Sequence, residues 1–546
     1  MHRNRSARVH DFAMVPRADI PRSGFRIENS YKTTFDAGYL VPVYMEEVYP
    51  GDTFNLKATM FARLATPIVP IVDNLYLESF FFFVPNRLVW NNWQKFCGEQ
   101  ENPGDSIDYL IPQIVSPAGG YPASTVFDYL GLPTSGQVAA GSTVSHSALP
   151  LRAYNLIWNQ WFRDENLQNS VQVPKTDGPD ASTLYTLKRR GKRHDYFTSC
   201  LPWTQKGDPV TLPLGGQAPV LGIGFSNAPS SGPVAATGIR ETGATSTVNW
   251  PAGRQAAANS PNETWIKATN TTTSAYPAVY ADLSQATAAT INEIRQAFQI
   301  QRFLEREARS GSRYTEQLKS QWGVMPADAR LQRPEYLGGG CVPINIAPIA
   351  QTSGTANDPS SGYSGTPAGS LSAFGTAVAH NHGFSQSFTE HGIIIGLISV
   401  RADLNYQQGL NRYWNRRTRF DFYWPVFSHL GEQPVYNREI YCTGTATDDA
   451  VFGYQERWAE LRYKPSLITG QLKSTYAQPL DIWHLAQKFN ALPTLNDTFI
   501  QDNPPIDRIV ATTEQTGQQF LIDCLFKNKA ARALPMYSVP GLVDHF

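Results

Sequence analysis

Residues Leu75 to Val84 read LYLESFFFFV. Successive side chains of a strand point to opposite faces. Leu75, Leu77, Phe81 and Phe83 therefore share one face, and Tyr76, Phe80, Phe82 and Val84 the other. A strand that is apolar on both faces has to be covered on both, by a second sheet or by a neighbouring chain. Pro85 stops the run, because proline has no N–H to give to a ladder. Two more β-rich runs precede it. Tyr39 to Val48 is closed by Pro50-Gly51-Asp52. In Thr53 to Leu64, Phe54, Leu56, Ala58, Met60 and Ala62 alternate with Thr53, Asn55, Lys57, Thr59 and Phe61. That period of two predicts one buried face and one largely polar face. The three runs predict a β-sandwich.

A chain of 546 residues exceeds one ordinary domain, so the sandwich carries further domains or large insertions. With 41 Gly and 39 Pro the chain is loop-rich. Only 17% of residues are charged while 12% are aromatic, which suits a surface mostly covered by copies of itself. A large β enzyme has a similar composition. The net charge is +0, so affinity for nucleic acid has to come from local patches. The start MHRNRSARVH lacks the apolar core of a signal peptide, and no run of eighteen apolar residues occurs. Cys97, Cys200, Cys341, Cys442 and Cys524 are scattered without CxxC spacing, which predicts free, mostly buried thiols and no zinc site.

Charge is concentrated locally. Residues 1 to about 30 are basic and aperiodic, with Arg3, Arg5, Arg8, Arg17, Arg22 and Arg26 against Asp11 and Asp19. This stretch reads as an arm on phosphates, an arm under a neighbouring subunit, or an ordinary terminus. The end of the chain carries Lys527, Lys529 and Arg532 against Asp544. Lys188 to His194, KRRGKRH, is the densest cationic run, and reads as a phosphate patch, a solvated loop, or a loop paired with another subunit's acids. Arg412, Tyr413, Trp414, Arg416, Arg417, Arg419 and Phe420 interleave arginine with aromatics, which fits single-stranded nucleic acid and a subunit contact equally well. Leu149 to Leu167 and Thr290 to Arg309 have helical spacing. Asp108–Ile111 and Phe127–Leu130 read as short helices in a long connection. Gly215 to about Gln285 is rich in Gly, Ala, Ser, Thr, Asn and Pro, the composition of a surface insertion. His380 and His382, with His391, are the one candidate metal set, and core or surface roles outweigh it. No phosphate-cradling glycine loop, GxSxG or HExxH occurs, and no constellation that would bear catalysis.

Several long segments carry a resemblance. They are LESFFFFVPNRLVWNNW (77–93), HDYFTSCLPWTQKGDPV (194–210), INEIRQAFQIQRFLEREARSGSRYTEQLKSQWGV (291–324) and GIIIGLISVRADLNYQQGLNRYWNRRTRFDFYWPVFSHLGEQPV (392–435). VFGYQERWAELRYKPS (451–466), LDIWHLAQ (480–487) and PGLVDHF (540–546) add to them. In this order they resemble the major capsid proteins of the Microviridae, small single-stranded DNA phages, and among them the gokushovirus group. The resemblance implies a single eight-stranded antiparallel jelly roll with long loop and helical insertions, and no enzyme. It implies sixty copies in a T=1 shell around a circular single-stranded DNA genome, with the insertion at the threefold protrusions and facing the host. The chain then divides into a basic arm over 1–30, a first part of the jelly roll with a helical insertion over 31–214, the insertion loop over 215–285, and the remainder with a C-terminal tail over 286–546.

Candidate residues follow. Arg3, Arg5, Arg8, Arg17, Lys527, Lys529 and Arg532 are candidates for facing DNA. Trp90, Trp93, Arg412, Tyr413, Trp414, Arg416 and Arg417 are candidates for subunit contacts, and Trp250, Asn262 and Trp265 for the host-facing loop. The two termini supply a net of roughly +6 per chain, or on the order of 360 charges in sixty copies, too few for one negative charge per nucleotide of a genome of several thousand. A further cationic partner is expected, and the family's small basic DNA-packaging protein fits. A minor capsid or pilot protein and a host surface receptor complete the expected partners, with no membrane insertion. The location expected is the virion, assembled in the host bacterial cytoplasm. No cofactor is expected, and a structural divalent cation at a subunit contact is left open. The rival is a carbohydrate-active or carbohydrate-binding β-sandwich, but no pair of carboxylates is nominated for it.

Overall fold

In the computed structural model, residues 21–208, 210, 220–221, 238–241, 248–249, 264–267, 280–281, 291–310, 316, 319–321, 332–357, 360, 365–511 and 517–537 are described. Arg3, Arg5, Arg8, Arg17, Trp250, Asn262 and the closing PGLVDHF lie outside them. The chain divides into two compact units, Met1–Thr204 with Met325–Phe546, and Gln205–Val324.

The first unit is an antiparallel β-sandwich. Its strands are β1 Ser23–Phe35, β2 Val41–Val48, β3 Thr53–Leu64, β4 Leu75–Pro85, β5 Glu335–Pro343, β6 Asn345–Ala350, β7 Leu371–Ser387, β8 Gly392–Ala402 and β9 Phe520–Arg532. One sheet runs β1-β9-β3-β7-β6 and the other β5-β4-β8-β2. Chain neighbours β1 and β2, β3 and β4, and β7 and β8 thus lie in different sheets, which is the double-Greek-key logic of a jelly roll. Eight strands make two four-strand arrays, and the short β6 extends one of them. The turn between β2 and β3 has Pro50 at its second position and Gly51 at φ 90° at its third, closed by Asp52 N–H to the Tyr49 carbonyl at 3.0 Å. Only glycine takes that φ without strain.

The core between the sheets follows the alternation. Phe54, Leu56, Ala58, Met60 and Ala62 of β3 meet Leu75, Leu77, Phe81 and Phe83 of β4 and Ile394, Ile398 and Val400 of β8. The opposite face of β4 and β8 is equally apolar, and this chain covers it. Phe82, Val84, Ile393, Ile395 and Leu397 pack with Leu149, Leu151, Tyr154 and Ile157 of helix α1 (Leu149–Ile157) in a second core. Of the two covers open to a doubly apolar strand, a second sheet takes one side and the chain's own insertion the other.

Several expectations need correction. The C-terminal cations sit not on a tail but on β9, a central strand, where Phe520, Ile522, Cys524 and Phe526 face the core. The basic N-terminal stretch likewise enters the sheet at Ser23. Helix α1 stops at Ile157 rather than Leu167. A π turn, Trp158–Phe162, follows, and Asp164 then accepts the Asn166 and Leu167 N–H groups at 2.9 and 3.1 Å. That side chain competes with helix continuation for the backbone donors. Of the two short helices expected in the long connection, Val126–Tyr129 forms and Asp108–Ile111 does not. The cysteines are free, but Cys97, Cys341 and Cys442 are exposed and only Cys200 and Cys524 are buried.

In the second unit, helix α2 (Ile291–Ser310) follows the helical spacing. Strand Gly238–Glu241 pairs with Thr264–Lys267 and with Val248–Asn249, and Val220–Leu221 pairs with Tyr280–Ala281. Trp265 lies on one of these strands, opposite Arg240.

Candidate assembly and nucleic-acid surfaces

The outer face of the five-stranded sheet is a ladder of cations. The alternation that turns Phe526 and Asn528 inward turns Lys527 and Lys529 outward. Register sets their neighbours. Lys527 lies opposite Glu28 on β1 and Lys57 on β3, and Lys529 opposite Arg26 and Asn55. Arg26, Lys57, Lys527 and Lys529 are all exposed. Adjacent strands are about 4.8 Å apart and alternate residues about 7 Å along, so four positive charges stand within reach of consecutive phosphates. Lys57 opposite Lys527 and Arg26 opposite Lys529 are like-charge pairs that cost stability, and Glu28 opposite Lys527 offsets part of that cost. Arg26 and Lys57 were legible only once the register was known.

Arg532 does not belong to this ladder. Its guanidinium pairs with Glu46 at 3.0 Å and Asp52 at 3.2 Å and lies over Phe54 at 4.9 Å. Its charge is used inside the subunit, and the reading of Arg532 as a DNA contact is corrected accordingly.

The arginine–aromatic segment separates into an inner and an outer set. Arg412 donates to Glu439 at 2.9 Å and to the Pro434 carbonyl at 2.8 Å, and its Nε lies 3.7 Å from Glu460. Arg416 also reaches Glu460, at 3.6 Å. Glu439 is buried and accepts from the Tyr196 hydroxyl at 3.0 Å. Burial, against the pull of Arg412, pushes the Glu439 carboxyl above its ordinary range. Arg412 and Arg416 therefore brace the segment from within. What they brace is exposed: Tyr413, Trp414, Phe420, Phe422, Tyr423, Trp424 and Val426 all stand in solvent, with Trp414 66% and Val426 88% accessible. Short helical turns at Arg412–Asn415, Arg419–Asp421 and Pro425–Phe427 hold them, helped by Asp421 accepting the Arg417 and Thr418 N–H groups at 2.9 and 2.7 Å. Arg417 is exposed among them. Exposed aromatic side chains gathered in one segment are what interaction surfaces concentrate.

Trp90 is not on any surface. It is 0% exposed in the second core, its indole N–H bonded to Asp177 at 2.7 Å. Trp93 is half-buried against Trp90, Phe96 and His391. The doubly apolar strand continues into its own insertion here, so Trp90 serves the fold, which removes it from the subunit-contact candidates.

In the cationic run Lys188–His194, Arg189, Arg190, Lys192 and Arg193 find partners within this chain, while His194 is exposed. Arg190, Arg193 and Arg401 converge on Glu78, the lone acid inside the LYLESFFFFV strand. Burial works to raise the Glu78 carboxyl, but Arg190 and Arg401 outweigh it and hold it below its ordinary range. Lys192 is buried and bonds Gln487 at 3.0 Å, and Arg189 bonds Asn503 and Tyr39 at 3.0 Å. The histidine set does not gather. A bulge between Ala379 and His382, with Asn381 at φ 57°, breaks the alternation, and His382 Nδ1 bonds the Ser79 hydroxyl at 2.8 Å while His380 is exposed. Among the described residues no group of three or more His, Cys, Asp or Glu is placed to hold a metal, and no helix is long and apolar enough to cross a membrane.

Residues 13–542 match the family described as capsid protein (F protein). The chain is 45% identical over 548 residues to the capsid protein VP1 of Bdellovibrio phage phiMH2K, covering 98% of each. It is 42% identical to the capsid protein VP1 of Chlamydia phage 1 over 97% of each, and 37% identical to that of Spiroplasma virus 4 over 98% of each. With its sandwich and braced aromatic surface, and with this likeness along nearly its whole length, the chain belongs to the capsid (F) protein family of microviruses, structural proteins of the virion and not enzymes.

Proposed function

We propose that sixty copies of this chain close into a T=1 icosahedral shell around a circular single-stranded DNA genome. The exposed aromatic set from Tyr413 to Val426 carries this reading. Arg412 and Arg416 brace it on Glu439 and Glu460, which limits the conformational entropy lost when a second copy covers it. Closed symmetry requires several distinct contact patches per subunit, and Trp93 adds a candidate to a second one. Lys527 and Lys529, with the arm residues Arg3, Arg5, Arg8 and Arg17, face the genome. A small basic DNA-packaging protein supplies the charge they lack. The 215–285 insertion, with Trp250, Asn262 and Trp265, faces the host, and assembly takes place in the host bacterial cytoplasm, with a minor capsid or pilot protein joining.

Electron microscopy with mass determination on purified particles tests this. Closed shells of sixty chains holding nuclease-protected circular DNA are expected. Replacing Trp414 and Trp424 together by Ala should lower the assembled fraction at least ~tenfold while the monomer stays folded. Another copy number, or particles without DNA, overturns the reading.

A further inference from the structure

A cavity of about 510 Å³ opens beside the edge where β4 and β5 pair. That volume lies within the roughly 300–1,000 Å³ usual for small-ligand sites. Its walls are of two kinds. One is cationic: Arg163, Arg190, Lys192, Arg193 and Arg401. The other is aromatic: Phe80, Phe82, Trp161, Phe162 and Tyr336. Asp164 is the one carboxylate in the walls, and its Oδ1 is taken up by the Asn166 and Leu167 N–H groups. Glu78, Asp403 and Asp502 neutralise part of the charge but do not line the cavity.

Three features point to a ligand. First, three guanidinium groups share the single carboxylate of Glu78, and burial with Arg401 nearby pulls Arg190 down to about 10. Second, Arg163, Arg193 and Arg401 each keep a buried Nε–H that meets no acceptor among the described residues. All three side chains line this one cavity, and planar guanidinium groups suit phosphate oxygens. Third, the aromatic wall includes two rings left open. Trp161 is 40% and Tyr336 43% exposed, their centroids 6.1 Å apart. Trp161 is fixed by its N–H to the Pro334 carbonyl at 2.9 Å and by Arg333 over its ring at 5.1 Å. A fixed, open indole beside a guanidinium cluster is what a base and its phosphate require.

We infer that the cavity binds one nucleotide, its phosphate on Arg163, Arg193 and Arg401 and its base against Trp161 and Tyr336. A nucleotide of a single strand and a free nucleotide present the same chemistry. The first source rests on the genome-packaging reading above. A neighbouring subunit's carboxylate would satisfy the arginines but leave the aromatic wall unused.

The test uses full-length subunits released from particles, titrated with deoxyadenosine monophosphate, with deoxyadenosine, and with a short labelled oligodeoxythymidylate. The monophosphate and the oligonucleotide should bind, and the nucleoside without phosphate should bind at least ~tenfold more weakly. Arg193→Gln should weaken the two phosphorylated probes by at least ~tenfold. Trp161→Leu, which removes none of the Glu78 ion pairs, should weaken them by roughly tenfold and serves if the arginine variant misfolds. Tighter binding of the oligonucleotide identifies the strand as the source, and monophosphate recovered from denatured particles identifies the free nucleotide. Unchanged binding in both folded variants overturns the inference, as does a particle structure with a neighbour's carboxylate on Arg193. If both variants package nuclease-protected DNA and bind as the wild type does, the cavity site falls and the packaging reading stands. Particles without DNA sink the packaging reading alone, since monophosphate binding still decides the cavity.

Discussion

The two sheets share one core but treat their outer faces in opposite ways. The outer face of the five-stranded sheet is open, and its charges stand in solvent: Arg26, Lys57, Lys527 and Lys529, with Lys32 and Asp523 paired at 3.5 Å at the surface. The outer face of the four-stranded sheet is closed by the chain's own insertion, and charges on that side are buried in pairs. Arg152 and Asp180 are 0% and 2% exposed and meet at 2.7 Å, with the Tyr185 hydroxyl on the same carboxylate at 2.6 Å. The closed side spends its charge on holding the insertion in register. The open side leaves its charge in solvent.

The largest expected effect tests the closed side. Asp180→Ala leaves the Arg152 guanidinium buried without its carboxylate and should cost about 3–5 kcal/mol in urea unfolding. Asp523→Ala breaks the Lys32 pair, which is 69% and 47% exposed, and should cost under ~1 kcal/mol. Equal costs would mean that the two faces do not differ as described. A similar contrast applies to apolar side chains. Phe82→Ala, in the second core, should cost roughly 3–5 kcal/mol, whereas Phe61→Ala, half-buried on the open face, should cost well under half of that.

Much of this contrast was visible in residues close together in the chain. The alternation in Thr53–Leu64 and the doubly apolar Leu75–Val84 name the open and the closed sheet without any structure. The rest depended on residues far apart. Arg532 meets Glu46 and Asp52, which lie more than four hundred residues away, so a local charge count reads it as free. Glu78 sits unremarked in a hydrophobic strand, and its partners come from 190, 193 and 401. In β9 the signal was present: Phe520, Ile522, Cys524 and Phe526 alternate with Leu521, Asp523, Leu525 and Lys527. The cations at its end masked a central strand as a tail. The aromatic segment showed the reverse, since composition could not tell that Arg412 and Arg416 turn inward while Tyr413 and Trp414 turn out.

Buried charge on the closed side should also leave a mark on pH dependence. Asp502 is 2% exposed beside the Lys188–His194 run, its N–H bonded to the Arg190 carbonyl at 2.8 Å. Burial pushes its carboxyl up to about 6 from 3.8, although Arg401, Lys192, Arg190 and Arg189 pull the other way. Between those values the folded chain binds more protons at this group than the unfolded chain does. Its contribution to stability therefore falls as pH rises from about 4 to about 6, by up to about 3 kcal/mol. Asp502→Asn should remove that decline, so the gap between variant and wild type should widen in the variant's favour across this window. A gap that stays flat would place the Asp502 carboxyl in a more polar setting than the closed side provides.

The smallest effect on stability is the sharpest test of the open side. Lys57 lies opposite Lys527 on β9 and opposite Gly383 on β7, so its nearest charged cross-strand partner is a like charge. Lys57→Glu turns that repulsion into an attraction and should stabilise the chain by roughly 0.2–1 kcal/mol. If the ladder binds polyanions, the same substitution should weaken single-stranded DNA at every sequence and lower the salt dependence of binding by about one to two phosphate contacts. The two readouts then move in opposite directions, more stable and less adhesive. A solvated face with no partner would show the first change without the second. Gain of stability with unchanged DNA affinity would thus remove Lys57, Lys527 and Lys529 from the genome-facing surface and leave the arm to do that work alone.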